Sequence, residues 1–176
     1  MISWRVGVLT LMVVGQALAV SRDDLPGPWL VQVGFAGTPK PISDAAGSTT
    51  VMAGIGYRPW RLGLLGTMGL DADVFVNHGQ GGALDRFGVW YVERIPLARQ
   101  VYGGLGAGLW GIRRQDNLGD NSAVFVRPAV RALAGFVFPE LPDRRVRPAL
   151  EFAVTYAGSA GDLDLTTVTV ALVLGF

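Results

Sequence analysis

Residues 165–176 read LTTVTVALVLGF, and this stretch decides the fold of the chain. Counting back from Phe176, every second residue is apolar, namely Leu174, Leu172, Val170 and Val168. The positions between them carry glycine, alanine, valine and threonine. A period of two is typical of a β-strand with two different faces. The segment therefore predicts a strand with one apolar face that ends on an aromatic residue.

Seven earlier segments alternate in the same way, separated by turns rich in glycine, proline and polar residues. With the last one, the eight predicted strands cover about residues 29–37, 48–58, 62–76, 85–95, 100–112, 122–138, 146–157 and 163–176. We expect tight turns at residues 58–61 and 96–99, and loops at 77–82, 113–121 and 158–162. Glu93 falls in the apolar phase of the fourth segment, which predicts a bulge there. Short strands with regular turn signals indicate an all-β barrel or sandwich.

The composition fits a single domain that is poor in charge. Half of the 176 residues are hydrophobic and 16% are charged, against about 25% in an ordinary soluble protein. Glycine is abundant, at 25 residues. Cysteine is absent, which excludes disulfides, thiolate metal sites and a thiol nucleophile.

The N-terminus resembles a secretory signal. Arg5 precedes an uncharged stretch at residues 6–21, and Ala17 and Ala19 are the small residues that signal peptidase reads. We therefore predict a signal peptide at residues 1–19 and a barrel domain at residues 20–176, with an uncleaved anchor as the alternative. Without Arg5 the chain holds 14 basic and 14 acidic residues, so its net charge is zero. No basic surplus remains to attract nucleic acid.

The two faces of the strands indicate which side lies inward. The less apolar face is mostly glycine, alanine and threonine, which suits a narrow interior, whereas the opposite face is valine, leucine and aromatic residues, which suits lipid. A sheet inside a bilayer must close, because every backbone group needs a partner. We therefore predict an eight-stranded antiparallel up-and-down transmembrane β-barrel, with Phe75, Tyr102 and Trp110 among the aromatic residues of its two interfacial girdles. A soluble lipocalin-like binder, with the apolar face inward, is the alternative.

The chain as a whole resembles the small outer-membrane β-barrel proteins of the OmpA/OmpX type. The resemblance rests on the signal, the eight amphipathic segments, the glycine-rich residues 102–110 (YGGLGAGLW) and the last strand. Val170, Leu172, Leu174 and Phe176 match the terminal signal that the barrel-assembly machinery reads in that family. The resemblance implies a monomer in the outer membrane of a Gram-negative-type cell, in contact with lipids and lipopolysaccharide. It implies no catalytic residue, metal or cofactor.

Six charged residues fall in the inward phase of the third, sixth and seventh strands: Asp71, Asp73, Arg127, Arg131, Arg147 and Glu151. Because an unpaired buried charge is very costly, we expect these residues to form a paired network in the lumen. The turn between the sixth and seventh strands predicts that Arg131 lies nearly opposite Glu151. Such a network would plug the barrel, and the alternative is a gate in a narrow porin-like channel. The plug favours a structural or envelope-stabilising protein.

Other motifs point weakly to chemistry. His78 could serve an outer-membrane lipid-modifying enzyme, although no serine lies in a nucleophile context. Residues 106–111 (GAGLWG) match a dinucleotide fingerprint in letters, but a polar loop follows instead of the required helix. Residues 116–121 (DNLGDN) carry oxygen ligands without the spacing of a known calcium loop. Arg113 and Arg114 could contact lipopolysaccharide phosphates at the rim.

Overall fold

The computed structural model describes residues 28–37, 49–60, 66–76, 78–79, 82–116, 122–139, 146–160, 163–164 and 166–176. Within them, eight strands have nine or more residues: β1 (Trp29–Gly37), β2 (Thr49–Trp60), β3 (Thr67–Val76), β4 (Gly82–Ala98), β5 (Val101–Asp116), β6 (Ser122–Val137), β7 (Arg147–Tyr156) and β8 (Thr167–Gly175). Three two-residue strands accompany them, at His78–Gly79, Ser159–Ala160 and Leu163–Asp164. The described part of the chain contains no α-helix with the length and apolarity that crossing a membrane requires.

The eight long strands close into one antiparallel barrel. Each pairs with the next along the chain, and β1 pairs with β8 through a register that includes Val33 opposite Leu172. Backbone hydrogen bonds between Trp29 and Phe176, of 2.9 and 3.4 Å, complete the seam. Because the sheet has no free edge in the paired region, backbone donors and acceptors are satisfied within it. The predicted eight-stranded antiparallel all-β barrel is confirmed.

The strand positions agree with the sequence pattern, but several ends differ. β2 continues into the predicted turn as far as Trp60, with a register shift between Tyr57 and Trp60 that accommodates Pro59. β4 likewise continues to Ala98 with a register shift after Pro96. Residues 113–116 and residue 82, which were predicted as loops, belong to β5 and β4, where residues 114–116 pair with residues 82–84. Residues 163–164 belong to a separate pair with residues 159–160, outside β8.

Residues alternate strictly between the interior and the exterior of the barrel. In β1 and β8 every second residue is buried, and the residues between are mostly exposed. β4 keeps this alternation across Glu93, with no register shift there, so the predicted bulge at Glu93 is wrong. Glu93 lies on the exterior face, half-buried, and its Oε1 accepts a hydrogen bond of 3.1 Å from the Gly66 N–H.

The barrel has two unlike ends. Trp29 and Phe176 lie at the end that we call the terminal end, and the other is called the far end. At the far end the pairing of β3 with β4 stops at Arg86, and the pairing of β6 with β7 stops at Val130. β4, β5 and β6 continue together to Gly82, Asp116 and Ser122. These three strands form a wall beyond the closed barrel, which we call the far wall (residues 82–86, 112–116 and 122–129).

Candidate functional site

The interior of the barrel contains a network of buried charges, and Arg94 is at its centre near the terminal end. Arg94 projects inward from β4 and is fully buried. Its Nη2 donates a hydrogen bond to Asp71 Oδ2 at 2.7 Å, and its Nε donates to Glu151 Oε2 at 3.0 Å. The Tyr102 hydroxyl donates to the same Glu151 oxygen at 2.9 Å. One guanidinium therefore joins carboxylates from β3 and β7 across the interior.

A second ion pair lies nearer the far end. Arg131 of β6 pairs with Asp73 of β3 and donates from Nε to the Thr155 hydroxyl at 3.1 Å. The Trp90 indole N–H donates to both Asp73 oxygens, at 3.0 and 3.2 Å. The Arg131 guanidinium also lies 4.1 Å from the Trp90 ring centroid, within the range of a cation–π contact. Asp73 and Arg131 are each 3% exposed, and each buried charge is balanced by its partner.

A third arginine, Arg86, occupies the far end of the interior. It donates from Nη2 to the Thr50 hydroxyl at 2.8 Å and from Nη1 to the Thr167 hydroxyl at 3.1 Å. Its guanidinium lies 5.5 Å from the centroid of the Phe75 ring. These contacts join β4 to β2, β3 and β8. Together the three arginines connect strands on opposite sides of the barrel.

Glycines make room for the large side chains inside. A Cβ atom added at Gly135 would overlap the ring of Tyr102, and one added at Gly88 would overlap the Trp90 indole. Tyr102 and Trp90 are completely buried, and Trp110 is 1% exposed. The glycine-rich inner face predicted from the sequence is therefore filled by aromatic rings and arginines from facing strands. Phe75, Tyr102 and Trp110 consequently do not belong to the exterior girdles, and their predicted placement there is wrong.

The six charged residues predicted to share the lumen divide into two groups. Asp71, Asp73, Arg131 and Glu151 are buried in the interior as described above. Arg127 and Arg147 are half-buried; Arg127 pairs in register with Trp110 near the far end, and Arg147 pairs with Gly175 at the terminal end.

The predicted juxtaposition of Arg131 and Glu151 is wrong. Arg131 lies opposite Thr155, whereas Glu151 lies opposite Gly135. The reason is the register of the two strands, in which Val137 pairs with Ala149. The acids that pair with arginines across the interior include the two on β3: Asp73 pairs with Arg131, and Asp71 pairs with Arg94.

Among the residues that the structure describes, three buried arginines did not figure in the sequence prediction: Arg58, Arg86 and Arg94, which are 6%, 2% and 0% exposed. Alternate residues of β4, from Arg86 through Trp90 to Arg94, face inward. The period of two was present in the sequence, but both phases of β4 contain apolar and charged residues. Charge balance gave no signal for them either, because the predicted network already matched its three acids with three arginines.

The remaining candidate motifs lie wholly or partly outside the described residues. Nothing is described of the His78 side chain or of residues 117–121, and residues 1–27, which include the predicted signal peptide, are also outside. Residues 106–111 lie within β5, and the Gly106 and Gly108 positions face Arg131 and Ala129 across the sheet. Among the described residues, no group of three or more acidic or histidine side chains is placed to hold a metal ion.

Comparison with known proteins finds similarity in structure only. No protein-family model matches the chain, and no curated protein matches it in sequence. The crystal structure of Neisserial surface protein A (NspA) superposes with a TM-score of 0.54 and 16% identity, covering 85% of this chain and 97% of that one. The N-terminal β-barrel domain of Pseudomonas aeruginosa OprF gives a TM-score of 0.51 and 12% identity, covering 86% of this chain and 98% of that one. The chain thus has the fold of the small eight-stranded outer-membrane β-barrel proteins.

Proposed function

We propose that the chain is an integral outer-membrane β-barrel protein with a structural, envelope-stabilising role and a filled polar interior. The observation that carries this proposal is the apolar exterior of a closed sheet. Among the described residues, the exterior face of β1, β2, β6, β7 and β8 carries no charged side chain. An apolar belt around a closed barrel is unfavourable in water and suits hydrocarbon.

The belt is continuous around the barrel. Its exposed large apolar residues include Val33, Phe35, Ile55, Leu70, Val74, Val89, Leu105, Leu109, Val130, Phe152, Val154, Val170 and Leu172. At the terminal end, Trp29 packs against Tyr57 with ring centroids 4.2 Å apart, and Phe136 packs against Phe138 at 5.6 Å. Exterior aromatic rings at the edge of an apolar belt are typical of the interface with lipid headgroups. The soluble lipocalin-like alternative would require this belt to be inside.

The interior favours a structural role over a channel. Arg94, Arg131 and Arg86 cross it at successive levels, each held by contacts to strands on the opposite side. Trp90 and Tyr102 fill space between these levels and are completely buried. A water-filled pore needs a continuous polar lumen, whereas these side chains pack against one another. We therefore infer that the barrel does not conduct in this conformation, and the proposal assigns no catalytic role to any residue.

The proposal also includes two kinds of partner, the barrel-assembly machinery and the lipids of the outer membrane. Leu172 and Val170 project from the exterior of β8, and Leu174 is half-buried in the same phase. Phe176 directly follows β8 and is exposed. This exposure supports their proposed role as the signal for the barrel-assembly machinery. Contacts with outer-membrane lipids and lipopolysaccharide, a monomeric state and a cleaved signal peptide complete the proposal.

The location is tested by membrane fractionation and gel mobility. We expect the protein in the detergent-soluble outer-membrane fraction, migrating faster on a gel when unheated than after boiling, because the closed sheet resists denaturant until heated. Release into buffer without detergent would contradict the proposal.

The filled interior is tested by planar-bilayer recording of the purified protein. We expect no steady conductance from the wild type. Arg131→Ala removes the guanidinium that pairs with Asp73 and packs on Trp90, whereas Arg113→Ala removes an exposed guanidinium of the far wall and is the matched control. Single-channel steps in the wild type would favour the porin-like alternative. Traces that are silent for all three proteins would exclude a role for Arg131 as a gate.

A further inference from the structure

Arg86 differs from Arg94 and Arg131 because its hydrogen bonds go to uncharged partners. Its hydrogen bonds go to the hydroxyls of Thr50 and Thr167, and it packs over Phe75. Its Nε is buried without a hydrogen-bond partner. Arg86 is 2% exposed, so the guanidinium is removed from water without a carboxylate to balance it. A buried cation in such surroundings is unfavourable unless an anion is available to it.

A second arginine lies in the interior phase at this end. Beyond the level of Asp73, the charged side chains in the interior phase that the structure describes are those of Arg86 and Arg127. Arg127 is half-buried on β6, and Trp110 of β5 lies between the two strands, in register with both Gly88 and Arg127. Arginines on neighbouring strands are a common arrangement for binding phosphate, because a guanidinium offers several N–H donors in a plane.

The far wall adds an apolar surface beside these arginines. Phe125 lies in the interior phase of β6, opposite Ile112 of β5, yet it is 51% exposed. The described pairing of β6 with β7 ends at Val130, so Phe125 lies on the part of β6 that continues beyond the closed barrel. The inner side of the far wall is therefore basic near the barrel and apolar further out.

We propose that the far end of the interior binds a phosphate group at Arg86, with Arg127 as a second cation and Thr167 as a hydroxyl donor. The Thr167 oxygen accepts from Arg86, and its own O–H remains able to donate to an anion. Arg86 can exchange a neutral hydroxyl partner for a phosphate oxygen, since charge-assisted hydrogen bonds are roughly twice as strong as neutral ones. The phosphate can come from free inorganic phosphate or from a lipid headgroup, whose hydrocarbon portion Phe125 would contact.

The site is tested first with inorganic phosphate. The full-length barrel is folded in a phosphate-free, nonionic detergent and titrated by calorimetry at constant ionic strength. We expect saturable binding that Arg86→Gln weakens by about tenfold or more, because a hydrogen bond to a charged group is lost. Arg113→Gln removes an exposed arginine from the opposite face of the same wall and is expected to leave the affinity within about twofold. Arg127→Gln, at a half-buried position, provides a second test if Arg86→Gln does not fold.

A second experiment distinguishes free inorganic phosphate from the phosphate of a lipid headgroup. The protein is mixed with micelles that contain either phosphorylated lipid A or its dephosphorylated form, and Phe125→Ala is compared with the wild type. A lipid headgroup predicts preference for the phosphorylated form and weaker binding by Phe125→Ala, whereas free phosphate predicts binding that Phe125→Ala does not change.

Either binding pattern supports the site, provided that Arg86→Gln, or Arg127→Gln in its place, abolishes the binding. Absence of binding in both arms, or equal losses in Arg113→Gln, would overturn the proposal. The inorganic phosphate arm does not depend on the proposed membrane role, so failure of one leaves the other testable.

Discussion

Removing the Arg94 side chain should destabilise the barrel more than any exposed substitution. Arg94→Met keeps much of the aliphatic volume but leaves Asp71 and Glu151, which are 1% and 3% exposed, without the guanidinium that they share. Breaking a buried ion pair by removing one partner costs about 3–5 kcal/mol, because the remaining charge stays buried. Two carboxylates lose their cation here, so we expect a loss in free energy of unfolding at the upper part of that range.

The measurement is urea unfolding of the protein refolded into lipid vesicles, followed by tryptophan fluorescence. Arg113→Met, at an exposed position, is the control and should change the unfolding free energy by no more than about 0.5 kcal/mol. If buried charge causes the loss, a triple variant that also carries Asp71→Asn and Glu151→Gln should recover about half of it. A loss below about 1 kcal/mol for Arg94→Met, or a triple variant less stable than the single one, would refute this reasoning.

Three further predictions test packing, orientation and assembly. Gly135→Ala should cost about 1–3 kcal/mol in the same unfolding assay because the new methyl overlaps the buried Tyr102 ring, whereas Ala134→Gly on the exterior should cost less. Val33→Arg, in the middle of β1 on the exterior face, should cost about 2–4 kcal/mol in vesicles, and Val101→Arg at the terminal end about 0–1 kcal/mol; equal costs would argue against the proposed belt. Phe176→Ala should lower the amount of barrel assembled in cells severalfold while leaving the urea midpoint of the refolded protein nearly unchanged, since the side chain is half exposed.

The sequence predicted the strands well because alternation survives wherever one face is apolar. The predicted segment at residues 29–37 coincides with β1, and those at 122–138 and 146–157 differ from β6 and β7 by one residue at their ends. One of the ends that differ lies where polar residues pair as strands, at Arg113, which is in register with Asp85. Hydropathy cannot indicate that pairing, because the backbone provides it regardless of the side chains.

The sequence could predict that charged residues lie in the interior, but it could not predict which of them form ion pairs. The phase of β3 placed Asp71 and Asp73 inward, but β4 carries apolar residues in both phases, which concealed Arg94. Partners across the interior depend on the shear of the barrel, which sets how far each strand is displaced along its neighbour. Alternation gives the phase of a residue and leaves this displacement undetermined. For the same reason Glu151 meets Arg94 of a distant strand, rather than Arg131 of its neighbour.

The connections across the interior have a consequence for the speed of folding. The hydrogen bonds from Arg94 to Glu151, from Arg131 to Asp73 and from Arg86 to Thr167 join residues 57, 58 and 81 positions apart in the chain. No single hairpin can form any of them, and contacts between distant positions slow the search for the native state. A half-formed sheet would hold these cations without their partners, a state that the bilayer penalises. We therefore expect late intermediates to be scarcely populated, with the last strand entering and the charges pairing in one concerted, rate-limiting event.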